Sequence, residues 1–167
     1  ALARAIVPRL SVMLMDEPFS GLDQRLRETV RSETLTILRE TGASCLLVTH
    51  DPVEAMSMAD RIAVMRARRL VQIGSPQDVY RCPADADTAR FFSDVSELRA
   101  RARDGVISTP FGILKAPQKA WDGDVVVLIR PQGLMPTKAR SGVEGWVLDA
   151  RYLGDASLVT LAFEGLE

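Results

Sequence analysis

Two adjacent carboxylates, Asp16 and Glu17, close the apolar run Val12-Met13-Leu14-Met15, and Pro18 stops it. Acids placed this way suit phosphate chemistry. One carboxylate can hold a Mg²⁺ that bridges nucleotide phosphates, and its neighbour can orient or deprotonate a water. The same pair could equally be a solvated acidic turn, so the rest of the chain has to decide. The only histidine, His50, follows a second apolar run, Cys45-Leu46-Leu47-Val48, and stands one residue after Thr49. A lone histidine at a strand end is more often satisfied by backbone than catalytic. What counts here is where the elements between the two runs put it.

The apolar runs have the length and pattern of buried strands, with hydrophobic side chains on both faces. Between them Phe19-Ser20-Gly21-Leu22-Asp23 makes a turn, in which Gly21 is free to take positive φ. A helix is expected over 24–41. Leu26, Val30, Leu35, Ile37 and Leu38 form its apolar stripe, Arg and Glu fill the opposite face, Asp23 can cap its start, and Gly42 stops it. Strand, helix and strand of these lengths form a βαβ unit with parallel strands. That unit delivers Asp16, Glu17 and His50 to one edge, the carboxyl end of the strands, where open α/β sheets bind ligands. The shared edge reverses the ordinary odds for His50.

Asp51-Pro52-Val53-Glu54 has the cap, proline and acid of a helix start, for a short helix over 52–59. Residues 61–65 and 69–73 read as a hairpin. Its turn, 66–68, lacks Gly and Asn, so either Arg68 is strained or the loop is longer than usual. Ser75-Pro76-Gln77-Asp78 starts another short helix, and 85–92 a last one. Beyond residue 93 the texture changes to short alternating runs: Leu98 to Arg103, Val106 to Ser108, Ile113 to Lys115, Val125 to Ile129, Trp146 to Tyr152 and Leu158 to Phe163. Gly and Pro punctuate them, as in a small barrel or sandwich. Arg99, Arg101 and Arg103 alternate along one run and read as its solvated face. The expected division is therefore residues 1–93 and 94–167.

The 167 residues carry 47% apolar and 26% charged side chains, which is ordinary globular composition. A balance of 21 basic to 22 acidic residues argues against a nucleic-acid partner. Cys45 and Cys82 have no metal-ligand spacing and are expected to be reduced, and buried or incidental. Ala1-Leu2-Ala3-Arg4-Ala5-Ile6 is a helical run, ending near Pro8, that starts without a cap. The expectation is that further sequence precedes it.

Taken together and in order, these pieces resemble the ATP-binding subunit of an ABC importer. Val12 to Pro18 is similar to a Walker B strand with its catalytic glutamate, Ser20-Gly21-Leu22-Asp23 to a D-loop, and Val48-Thr49-His50-Asp51 to the segment with the switch histidine. Ala59 to Met65 and Gln72 to Pro76 are similar to the segments that follow. The fold implied is the C-terminal part of a P-loop NTPase parallel sheet over 1–93. Over 94–167 the chain resembles the accessory TOBE domain, an incomplete OB-like β barrel, through Ile129-Arg130-Pro131-Gln132 and Tyr152-Leu153-Gly154-Asp155.

The resemblance implies ATP and Mg²⁺ as ligands. Asp16 would hold the ion through water, Glu17 would act as general base, and His50 would sense the γ-phosphate. Ser20, Gly21 and Asp23 would lie at the nucleotide and subunit interface. It also implies a homodimer of ATPase subunits, two membrane permeases, indirectly a periplasmic binding protein, and a place at the inner face of the bacterial plasma membrane. Ferric iron is the solute most similar systems serve, with thiamine, polyamine, sulfate and phosphonate systems next.

The departures are equally specific. No G-x-x-x-x-G-K-[ST] loop, signature Ser-Gly-Gly or glutamine loop occurs in the sequence. This chain alone is therefore expected to bind ATP weakly and to be inactive, as a fragment of a hydrolytic subunit. Without further strands its sheet should expose apolar surface and associate. Two other functions compete: a β domain that serves as a small-anion-binding, regulatory or dimerisation module, and a soluble ABC ATPase unconnected with transport.

Overall fold

Strand β1 (Val12–Asp16) pairs in parallel with β2 (Ser44–Val48), Leu14 opposite Leu46 and Asp16 opposite Val48. The computed structural model describes residues 11–116, 122–137 and 142–163. The helical run expected over residues 1–8 lies outside them. The chain divides into two compact units, Ala1–Ser93 and Asp94–Glu167.

In the first unit, helix α1 (Gln24–Thr41) connects the two parallel strands. Asp23 caps it, accepting from the Leu26 amide at 3.0 Å, and Gly42 ends it at φ 65°. The strands depart from expectation in burial. Met13 and Met15 are buried, but Val12 and Leu14 are 60% and 74% exposed, and Leu46 and Val48 are exposed beside them. The pleat explains the alternation: one face is covered, and the apolar side chains of the other stand exposed. The expected exposure of apolar sheet surface is thus present. Cys45 and Cys82 are free and exposed, which removes the buried alternative and leaves the incidental one.

Of the expected stripe of α1, Val30, Leu35, Ile37 and Leu38 are half-buried, while Leu26 is exposed; Thr34 is fully buried, and Arg27 and Arg31 are partly buried as well.

Helix α2 (Pro52–Met58) follows, then the hairpin β3 (Ile62–Arg66) and β4 (Arg69–Gly74). Its two-residue loop needs positive φ at both positions, and Ala67 and Arg68 supply 48° and 63° without a glycine. Of the two alternatives, strain at Arg68 therefore holds, and it extends to Ala67. Helix α3 (Pro76–Arg81) opens with a reciprocal Ser75–Asp78 capping box, and helix α4 (Ala86–Phe92) is capped by Asp85. The Arg66 guanidinium forks to Asp85 and to Asp87, tying the hairpin to the start of α4. Those bonds hold the Asp85 carboxyl below the usual carboxylate range.

The second unit is all β. Strands β5 (Ser96–Arg103), β6 (Val106–Thr109), β7 (Gly112–Lys115) and β8 (Gly123–Ile129) form one antiparallel sheet in the order β7-β6-β5-β8. Leu98, Ala102 and Ile107 are its buried residues, and Arg99, Arg101 and Arg103 point to solvent as expected. The Asp104-Gly105 pair turns β5 into β6 with φ of 52° and 75°. Strands β9 (Gly145–Tyr152) and β10 (Ser157–Phe163) form a separate ribbon. Phe111 meets Phe163 edge to face at 4.9 Å. Among the described residues the two sheets do not join into a closed barrel; where an incomplete OB-like barrel was expected, the described strands form two open sheets.

Candidate functional site

The carboxyl ends of β1 and β2 meet at a contact between Glu17, the residue after β1, and His50, two residues after β2. The chain leaves β1 at Glu17 in the left-handed region, φ 46°, a conformation that costs a non-glycine residue about 1–3 kcal/mol. Two sets of bonds hold it there. The Glu17 amide donates to the Val48 carbonyl at 2.9 Å, continuing the ladder one step past the strand. The Glu17 carbonyl accepts from both the amide and the hydroxyl of Ser20, at 3.2 Å and 2.8 Å. The bend turns the Glu17 side chain toward the end of β2.

There Glu17 Oε1 accepts from the His50 amide at 3.1 Å and lies 2.5 Å from His50 Nδ1. An ionised carboxylate can only accept, so Nδ1 carries the ring proton in this contact. The hydrogen bond to Glu17, reinforced by its charge, raises the His50 pKa above the ordinary histidine value. The ring is 81% exposed, which leaves its opposite nitrogen accessible to an incoming group. As an imidazolium, which Glu17 favours, that nitrogen is a donor to an anion.

Asp16 ends β1 on the side of Val12 and Leu14, and its residue is exposed. Asp16 and Glu17 therefore diverge: one continues the pleat and the other bends to His50. Ser20 fixes the Glu17 carbonyl, Gly21 supplies φ 79° for the turn, and Asp23 caps α1. So the structure joins Glu17, His50 and Ser20 through hydrogen bonds. Gly21 and Asp23 lie in the adjoining turn and helix start.

No cluster of three or more metal-ligating side chains occurs among the described residues. Asp16 alone fits the mode in which Mg²⁺ takes one carboxylate and completes its shell with phosphate oxygens and water.

The loop that carries His50 is built more tightly than its sequence suggests. Asp51 Oδ1 caps α2, accepting from Val53 and Glu54 amides at 2.8 Å and 3.3 Å. The Glu54 side chain takes the Thr49 hydroxyl at 2.7 Å, and Thr49 in turn accepts the Asp51 amide at 3.0 Å. The capping acid thus acts through Thr49, and Glu54 is buried at 3% exposure. Arg27 also reaches this loop. Its pairing with Asp51 spans distant positions, and no local motif announces it.

No family model matches the chain. Several curated proteins are similar to it over nearly all its length. "Fe(3+) ions import ATP-binding protein FbpC 2" of Rhodococcus jostii is 39% identical over 164 residues, 98% of this chain and 47% of that protein. "Fe(3+) ions import ATP-binding protein FbpC" of Streptomyces coelicolor is 38% identical over 165 residues, 99% and 47% of the two. The protein of the same name from Pseudomonas fluorescens Pf-5 is 36% identical over 169 residues, 99% and 48%. The chain thus spans about half the length of the curated relatives it matches.

Proposed function

The chain belongs to the family of ATP-binding subunits of ABC importers, of whose length it spans about half, and we propose that it carries the hydrolytic machinery of such a subunit. The observation that supports this most is the Glu17–His50 contact at the common edge of two parallel strands. It is what a nucleotide's terminal phosphate needs: a carboxylate to take a proton from the attacking water, and an imidazolium whose second N–H can donate to the phosphate.

In this reading Glu17 is the general base, and His50, oriented through Nδ1, presents its opposite nitrogen to the γ-phosphate. Asp16 would help hold a Mg²⁺, which supplies charge neutralisation on the phosphates when bound. Ser20 and Gly21 shape the turn that sets the Glu17 backbone, and Asp23 fixes the helix behind it, facing a second copy of the subunit.

Hydrolysis also needs a phosphate-binding loop, and no such loop occurs in this sequence. Turnover is therefore assigned to the subunit that carries both, acting as a homodimer on permease partners at the cytoplasmic face of the membrane. Ferric iron is the solute that the relatives' names favour. Among the described residues no helix is long and apolar enough to cross a membrane. The second unit is read as the accessory β domain of the TOBE type.

The test is Mg²⁺-dependent ATP hydrolysis by the subunit carrying these residues. His50→Ala and Asp16→Asn are each expected to lower turnover by about 10²-fold or more while the protein stays folded. Turnover of both variants near wild type would overturn the assignment.

A further inference from the structure

Arg27 sits between the two segments that meet at the site. Its Nη2 donates to the Leu22 carbonyl at 3.0 Å, and its Nη1 lies 3.6 Å from Asp51 Oδ2. Both ends of this link are firmly built. Leu22 directly precedes the Asp23 cap of α1, whose carbonyl also accepts the Arg27 amide at 2.8 Å. Asp51 caps α2 with its other oxygen and is tied by its amide to Thr49. His50 lies between Thr49 and Asp51, so whatever fixes those two residues fixes its backbone.

We propose that Arg27 is a positioning residue that couples the Ser20-Gly21-Leu22-Asp23 turn to His50 by clamping Leu22 to Asp51. A planar guanidinium can serve two acceptors that diverge, whereas an ammonium on a flexible stem serves them poorly together. Partial burial strengthens the case: the side chains of Arg27 and Asp51 are 33% and 24% exposed, so the pair is less screened than an open surface pair. Arg31 provides an internal comparison. It lies one turn along α1 and lines the same groove of about 220 Å³ with Gln24, Arg27, Glu28, Asp51 and Val53. Its Nη1, like Arg27 Nε, is buried without a hydrogen-bond partner, but among the described residues no bond joins Arg31 to Leu22 or Asp51. The catalytic consequence, that movement of the turn reaches the phosphate-facing imidazole, rests on the function proposed above. The clamp itself does not.

The chain's single histidine makes the test direct. The ring resonance of His50 is recorded by ¹H–¹³C NMR on the 167-residue chain, without nucleotide, at one alkaline pH where the imidazole is neutral. Arg27→Met and Asp51→Asn, whose amide oxygen can still cap α2, are each expected to shift that resonance more than Arg31→Met does. The Arg27→Met/Asp51→Asn double variant is expected to shift it no further than the larger single change. Arg27→Lys, the mildest change, is expected to give part of the shift and serves if Arg27→Met does not fold. An unmoved resonance in folded Arg27 variants, an equal shift from Arg31→Met, or additive shifts in the double variant would overturn the clamp. Loss of the proposed ATPase role would leave this result untouched.

Discussion

At the scale of single residues, the Glu17–His50 contact makes a statement about protonation. Glu17 raises the His50 pKa, so the folded protein holds the ring proton more tightly than the unfolded chain, whose histidine titrates near 6.5. The contribution of this pair to stability is therefore fully present below pH ~6.5 and fades as pH rises through the folded value. Glu17→Gln removes the charge and keeps the shape. An NMR titration of the single imidazole should show its pKa falling back toward about 6.5, and the variant's stability should change less between mildly acidic and alkaline pH. An unchanged pKa would mean that the contact does not exist in solution. This pair was legible in the sequence, because two apolar runs separated by one helix force the residues after them to a shared edge. The left-handed backbone of Glu17 was not, since a glutamate carries no local signal for positive φ. The Arg27–Asp51 link was equally hidden: a charged residue near a helix start looks solvated until the fold brings an acid from another loop beside it.

Among the elements, hairpins divide by their turn chemistry. Asp104-Gly105 supplies residues suited to positive φ, and β5 and β6 pair as the sequence implies. Ala67-Arg68 makes the same kind of turn from residues that resist it. Replacing Ala67→Asn together with Arg68→Gly should stabilise the first unit by about 1 kcal/mol, read as a rise in its urea midpoint. A fall would show that Arg68 makes a contact worth more than the strain. The hairpin forms despite its turn because other contacts over-determine it. Arg66 bonds Asp85 and Asp87, and Gln72 both donates to the Cys82 carbonyl at 3.0 Å and accepts from the Ala84 amide at 2.8 Å. Strand positions were readable from period-two alternation. Burial was not, because the apolar runs of β1 and β2 specify two covered faces and the structure covers one.

For the molecule as a whole, that uncovered face is the main physical liability. Val12, Leu14, Leu46 and Val48 stand exposed together on a two-stranded sheet, and contiguous apolar surface of this kind drives association in water. The 167-residue chain should therefore self-associate in a concentration-dependent way by sedimentation, and Leu14→Ser with Leu46→Ser should reduce that association. A wild-type chain that stays monomeric at high concentration would show the face to be harmless. The fold class of the first unit and its site edge followed from the order of the motifs. The open sheets of the second unit did not, since alternation specifies strands but not whether their edges meet. The central claim is that Glu17 is the base of an ATP-hydrolysing site, and single-turnover hydrolysis with Glu17→Gln in the subunit carrying these residues tests it most directly. The account predicts a loss of about 10²–10⁴-fold in the hydrolysis rate with ATP binding retained; a rate near wild type would contradict it.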